Sequence, residues 1–262
     1  MITIILVVYK PKKDLFQKFL KKIIKKNKLI IVDVAGFNFK KYKLPKNTRI
    51  INTKNNGYGA AINLALNQCR TKYALISQID VYFKKNFVDK FYKFSRKIKN
   101  FAILIPNEKN KSSRINLKEN TDGEASTMLI DISKIRKIKF DENIFLYFEE
   151  TDLFHRCKKK NYKVLDVNHF KIQKQRASSI SYKNNSIEYL MKWHYMWSMF
   201  YYYKKNFNYI YALKKTYIFF LKDFVKLMIY LFLLDRHNFQ IRYNRIYGLL
   251  SSILCLKSFK RP

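Results

Sequence analysis

ITIILVVYKPKKDLFQKFLKKIIKKNKLIIVDV, residues 2–34, sets two apolar runs on either side of a basic stretch. ITIILVVY (2–9) and KLIIVDV (28–34) are rich in β-branched residues and nearly continuous in hydrophobicity, the pattern of strands covered on both faces. Between them, residues 12–26 carry apolar positions at helical spacing with lysines opposite, which predicts an amphipathic helix. Strand, helix and strand in so short a stretch make a β-α-β unit, whose strands run parallel. The first run is read as a buried strand rather than a signal peptide. It is short, no basic segment precedes it, and it passes directly into Lys10-Pro11.

The alternation continues. After a polar loop ending at Pro45, RIINT (49–53) reads as a short strand. NNGYGAAINLALNQC (55–69) changes to helical spacing, with Ala61, Leu64 and Ala65 on one face. YALISQIDVYF (73–83) is strand-like, a helix is expected over 86–98, and FAILIP (101–106) is again a strand. Strands alternating with helices predict an α/β domain over residues 1–182, a mostly parallel sheet flanked by helices. In such sheets ligands bind beyond the carboxyl ends of the strands. Asp33, Asn55-Asn56-Gly57 and Asp80 fall at such ends, which points to a nucleotide site.

Residues 183–262 differ. They are aromatic, basic and helical in period, without strand alternation, and predict a C-terminal helical extension. On a helical wheel Lys215, Lys222 and Lys226 share one narrow stripe with Asp223 beside it, and the rest of the circumference is apolar. Two readings follow. The segment is a core helix with a solvated stripe, or it lies in a bilayer surface with lysines toward anionic headgroups and Trp193 and Trp197 near the interface. No stretch reaches about 18 uninterrupted apolar residues, so no membrane-spanning helix is expected.

Composition bounds the rest. A chain of 262 residues with 48% hydrophobic content can bury a sizeable core. Its 54 Lys and Arg against 18 Asp and Glu give a formal charge of +36, which favours anionic partners without choosing among them. Cys69, Cys157 and Cys255 show no paired or metal-ligand spacing, which suits a reducing compartment. Against that basic background, FDENIFLYFEETDLFHR (140–156) gathers Asp141, Glu142, Glu149, Glu150 and Asp152. A helix starting near 149 would put three of these acids in its first turn, where they complement the dipole, and pair Asp152 with Arg156. The alternative is that the cluster carries out proton chemistry.

VVYKP, IIVD, NNGYGAAIN, the strand ending at Asp80 and the acid segment occur in an order and spacing that resembles glycosyltransferase family 2 over roughly residues 2–180. The similarity is nearest to the rhamnosyltransferase-like branch of bacterial surface-polysaccharide synthesis. The resemblance implies a GT-A fold, a dTDP- or UDP-linked sugar donor, a divalent metal (Mg²⁺ or Mn²⁺) and inversion at the anomeric carbon. It implies Glu150 as the base that deprotonates the acceptor hydroxyl, with Glu149 or Asp152 as alternates. Asp141 and Glu142 would order the loop entering the site, with direct acceptor contact by Asp141 as the other reading. Asp80 would hold metal and diphosphate, and His169 is a further candidate ligand.

On the donor side the resemblance implies Asp33 at the base and ribose, Tyr9 stacked nearby, and Asn56, Gly57, Gly59 and Asn63 at the turn and helix beside the nucleotide. Three departures stand out. The family often carries acids two apart where this chain has Gln78, Ile79, Asp80, Val81 and Tyr82, Val34 replaces an asparagine, and HFKIQKQRASS lacks the glycine that usually follows the histidine. The implied function is sugar transfer to a saccharide or lipid-linked acceptor, by a cytoplasmic protein peripheral at the inner membrane. The competing classes are a basic nucleic-acid-binding protein, although no specific nucleic-acid motif is present, and a catalytically silent scaffold of the same fold.

Overall fold

The first strand pair forms as its sequence requires. β1 (Thr3–Val8) and β2 (Lys28–Asp33) are parallel, in a register that sets Thr3 opposite Lys28 and Val8 opposite Asp33. The connecting helix α1 (Lys13–Lys22) turns Leu15, Phe16 and Phe19 onto the sheet. The computed structural model describes residues 1–23, 27–84, 86–107, 117–120, 123, 125–174 and 185–262. The expected end of α1 at 24–26, and the end of the HFKIQKQRASS stretch, lie outside the described residues.

The chain divides into two compact units. Unit 1 comprises Met1–Asn55, Ala60–Phe140 and Leu153–Ser181, and unit 2 comprises Asn56–Gly59, Asp141–Asp152 and Tyr182–Pro262. In unit 1, β3 (Thr48–Asn52), β4 (Tyr73–Ser77), β6 (Phe101–Asn107), β7 (Leu117–Glu119), β8 (Thr127–Asp131) and β9 (Lys163–Lys171) join β1 and β2. The eight-stranded order is β3-β2-β1-β4-β8-β6-β9-β7. β3, β2, β1 and β4 are mutually parallel. β8 is antiparallel to both β4 and β6, which returns β6 and its parallel neighbour β9 to the first direction. β7 runs against β9. The sheet is therefore mainly parallel, as the sequence predicts. Leu6, Leu29, Ile31, Leu75 and Leu104 from the strands form its core with Phe16 and Phe19 of α1 and with Phe87 and Phe91 of α3 (Phe87–Ser95).

Three local expectations are corrected. The run 73–83 is not one strand: the chain leaves the sheet after Ser77, turns with Val81 N donating to Gln78 O at 3.4 Å, and re-forms as β5 (Val81–Tyr82), paired to β10 (Gln173–Lys174). In α2 (Tyr58–Gln68) Ala61 and Ala65 are buried as expected, but Leu64 is 40% exposed. The buried face there is centred on Ala61, Ile62, Ala65 and Leu66. The reversed strand β8 was not foreseen, and neither was the pairing of β9 with β6.

The remaining helices are α4 (Ile132–Ile138), α5 (Glu149–Lys159), α6 (Ser186–Asn206), α7 (Tyr209–Phe232) and α8 (Arg236–Ile253). In unit 2, α6, α7 and α8 share a core of Met196, Met199, Phe200, Ala212 and Leu249. α8 approaches α6 so closely that a Cβ on Gly248 would stand 2.2 Å from the Trp193 carbonyl oxygen. Trp193 and Trp197 are both buried in this unit, which removes them from any interfacial role. Their ring planes stack and the Trp197 indole donates to the Leu256 carbonyl. Among the described residues no helix is long and apolar enough to cross a membrane.

Candidate active site

Unit 1 brings three of the sequence-predicted residues to one edge. Asp33 closes β2, Tyr9 follows β1, and Asp80 sits in the turn after β4. Because β2, β1 and β4 are adjacent and parallel, all three lie at the carboxyl edge, across two strand spacings of about 4.8 Å each. Asp33 and Asp80 are buried, and Tyr9 is half-buried with the Lys10 ammonium 5.3 Å from its ring centroid. Asp33 organises its own turn: its two carboxylate oxygens accept from Ala35 N at 3.0 Å and Phe37 N at 2.6 Å. A concavity of about 390 Å³ opens at the opposite edge, where Lys72, Tyr73 and Phe101 begin their strands, and contains none of these residues.

The NNGYG loop and its helix support the acid segment. Asn63, buried on α2, donates its amide to Phe140 O and accepts from Phe140 N, both at 3.0 Å, and so pins the residue before Asp141. Gly57, at φ +111°, lies against the backbone of Phe145, whose carbonyl accepts from Tyr58 N at 3.1 Å. The glycine requirement at 57 therefore arises from this contact: a Cβ there would stand 2.7 Å from Phe145 O. Asn56 is exposed in the same loop, and Gly59 is buried within α2.

The acids of the 140–156 segment, all in unit 2, separate by environment. Asp141 accepts from the Asn143 backbone and side chain, from Tyr201 at 3.0 Å and from Lys205 at 2.7 Å. Burial alone would raise its pKa, but Lys205, Asn143 and Tyr201 hold it below the usual value. The same Lys205 ammonium donates to Asp152 at 2.8 Å, joined by the Asn206 amide at 2.9 Å. One lysine of α6 thus bridges two carboxylates of the segment, and Asp141 is also tied to its own loop through Asn143. Arg156 donates to the carbonyls of Ile138 and Lys139.

Glu149 and Glu150 open α5, with Asp152 in the same first turn and Arg156, Lys158 and Lys159 in the last, matching the helix dipole at both ends. Ahead of them, Tyr147 and Phe148 both adopt left-handed backbone, at φ 64° and 65°. That conformation costs about 1–2 kcal/mol per residue for L-amino acids. It persists because both residues are held. Phe148 packs on Tyr195 and Tyr202, Tyr147 meets Tyr195 edge-on, and Ser198 Oγ donates to the preceding Leu146 carbonyl. Asp152 N then caps back onto Phe148 O at 2.9 Å. The strained pair sets the direction in which the two glutamates leave the loop.

Glu149 is buried and Glu150 half-exposed. Among the described residues Glu149 Oε2 has no hydrogen-bond partner. Burial, reinforced by the neighbouring Glu150 charge, raises the Glu149 pKa well above its ordinary 4.5. The folded protein thus keeps a proton that the unfolded chain releases once pH exceeds that ordinary value. Stability falls with rising pH across the window between the two pKa values, by about 1.4 kcal/mol per unit. Glu149→Gln is expected to melt with the wild type near pH 4 and progressively above it as pH rises. Parallel melting curves from pH 4 to 8 would show instead that Glu149 is ionised in the fold.

Lys205, Tyr201 and Asn206 carry no local sequence signal; their pairing with the acids spans more than fifty positions. Near them a cleft of about 200 Å³ in unit 2 is lined by Glu142, Asn143, Trp197, Tyr201, Lys204 and Arg261, among others. The Trp197 and Tyr201 rings stack there at 5.0 Å. Among the described residues no group of three or more His, Cys, Asp or Glu side chains is placed to hold a metal ion. Asp80 fits the other arrangement, a single carboxylate sharing a divalent ion with substrate phosphates. His169 is exposed on β9, edge-on to Phe170.

This α/β sheet, with its reversed fifth strand, is the GT-A fold of glycosyltransferases. The mannosyltransferase PcManGT from Pyrobaculum calidifontis, solved with GDP-Man and Mn²⁺, matches 96% of this chain and 86% of its own at a TM-score of 0.58 and 9% identity. S. aureus TarS 1–349 with UDP-GlcNAc matches 97% of this chain and 92% of its own, at a TM-score of 0.54 and 13% identity. GalNAc-T7 with UDP, GalNAc and Mn²⁺ matches 81% of this chain and 47% of its own, at a TM-score of 0.56 and 8% identity. No protein-family model matches the sequence, and no curated protein does.

Proposed function

We propose that the chain is an inverting glycosyltransferase that moves a sugar from a dTDP- or UDP-linked donor to a hydroxyl of a saccharide or lipid-linked acceptor. The rhamnosyltransferase-like motifs make rhamnose the first sugar to test. The observation that carries the reading is the Glu149–Glu150 pair at the head of α5 in a chain of this fold. The pair divides a burden that two equal carboxylates could not share. Burial, with the neighbouring Glu150 charge, favours the protonated form of Glu149 and so lessens the like charge beside Glu150. Glu150 Oε then takes the acceptor proton as the hydroxyl oxygen attacks the anomeric carbon from the face opposite the diphosphate.

Asp141 and Asp152, bridged by Lys205, are assigned to positioning the segment. The stacked Trp197 and Tyr201 rings give the neighbouring cleft an apolar wall of the kind that sugar faces pack against. On the donor side Asp80 is assigned to the diphosphate. A divalent ion bound there would neutralise the leaving group's charge, and PcManGT and GalNAc-T7 are both solved with Mn²⁺.

A thermal-shift panel of nucleotide sugars, with and without Mn²⁺ or Mg²⁺, tests this reading. A donor at 100 times its dissociation constant is expected to add about 2.7 kcal/mol of stability. Asp80→Ala is expected to weaken that donor and the metal together, by roughly tenfold or more. No response to any donor from folded protein would sink the proposal. Salt-sensitive binding to DNA alone would favour the nucleic-acid reading, and donor binding without turnover the scaffold reading.

A further inference from the structure

α7 is turned inside out relative to an ordinary surface helix. Its buried positions are Ala212, Thr216 and Asp223, small or polar. Its outward positions include Ile210, Ile218, Val225, Ile229, Phe232 and Leu234 (the last just past the helix end), with exposures from 47% at Ile229 to 87% at Leu234. At about 100° per residue the first five fall on one face, interrupted only by the exposed Lys214 near its start, and Lys215, Lys222 and Lys226 run along one edge of it. Asp223, which the helical wheel sets beside the lysine stripe, is not solvated. It is buried, gripping Arg242 at 3.0 Å and Arg245 at 2.6 Å from α8.

That clamp fixes the rotation of the helix. Turning the apolar face inward would break two ion pairs and leave buried charges uncompensated, a far larger penalty than exposing a few side chains. The exposure is thus built into the packing of unit 2. Contiguous apolar surface of this extent marks a docking surface. The lysine edge and the net charge of +36 select its occupant. A second copy would set like charges together across the contact, whereas an anionic bilayer offers acyl chains to the face and headgroups to the lysines.

We propose that the outward face of α7, ending in Phe232-Leu233-Leu234, lies in the surface of an anionic membrane. The inference stands apart from the sugar-transfer reading, since lipid binding needs no donor and no catalysis. The test is flotation of the full chain with phosphatidylglycerol-containing vesicles and with phosphatidylcholine vesicles, at low and physiological salt. The wild type is expected to float with the anionic vesicles at both salts. Ile218→Glu/Val225→Glu and Lys215→Glu/Lys222→Glu/Lys226→Glu are each expected to lose roughly tenfold or more in partition.

A photoactivatable lipid on the wild type, which avoids any folding question, is expected to label residues on the outward face of α7. Equal flotation of the Ile218→Glu/Val225→Glu variant would reduce the binding to adsorption on a basic surface and overturn the proposal. So would lipid labelling confined to other segments. A wild-type dimer that Ile218→Glu/Val225→Glu converts to monomer, with no vesicle binding, would assign the face to a second copy instead.

Discussion

Glu150→Gln is expected to lower the rate of sugar transfer by about 10² to 10⁴-fold, the usual contribution of a general base, with donor affinity unchanged. The substitution keeps shape and removes only the ability to take a proton. Glu150 is half-exposed, so the loss should appear in kcat while the protein stays folded. The comparison with its neighbour sharpens the test. Glutamine at 149 mimics the protonated form that burial favours there, so Glu149→Gln should retain far more activity than Glu150→Gln. The reverse ranking, measured on one donor–acceptor pair, would transfer the base role to Glu149. Equal activity of both variants would remove the pair from the chemistry.

Gly57→Ala is expected to destabilise the protein by about 2–5 kcal/mol, from left-handed backbone strain and from overpacking together. At φ +111° an L-residue is strained whatever the space. The added methyl also meets Phe145 O at 2.7 Å and Phe145 Cα at 2.8 Å, and these are backbone atoms with no rotamer to yield. Relief requires the acid segment to move, and the Tyr58 N to Phe145 O hydrogen bond would be lost with it. Activity should fall alongside stability. Urea denaturation of the variant decides the point: an unchanged midpoint would mean that the loop and the acid segment are not coupled through this contact.

How much was legible follows from where each constraint resides. The β1-α1-β2 start could be read because a strand buried on both faces must be continuously apolar and an amphipathic helix must repeat near every 3.6 residues. Asp33 was readable as a strand-end acid, and its turn is made by amides only two and four residues on. β8 was not readable. Only Met128, Leu129 and Ile130 of its five residues are apolar, without length or period, and its direction is set by its pairing with β4 and β6, with Ser77 opposite Thr127. The acid segment announced itself by composition, but the separation of its members into structural and chemical roles did not.

The sequence by itself determined the α/β alternation, the polar residues at the carboxyl ends of the strands, and the gathering of acids at the head of one helix. All of these depend on neighbours in the chain. Only the tertiary structure decided that Lys205 bridges Asp141 and Asp152, that Gly57 answers to Phe145, and that α7 turns Asp223 inward and its apolar face out. A helical wheel gives the faces of a helix but not which of them is covered. That depends on partners such as Arg242 and Arg245, which approach through folding and leave no period in the sequence.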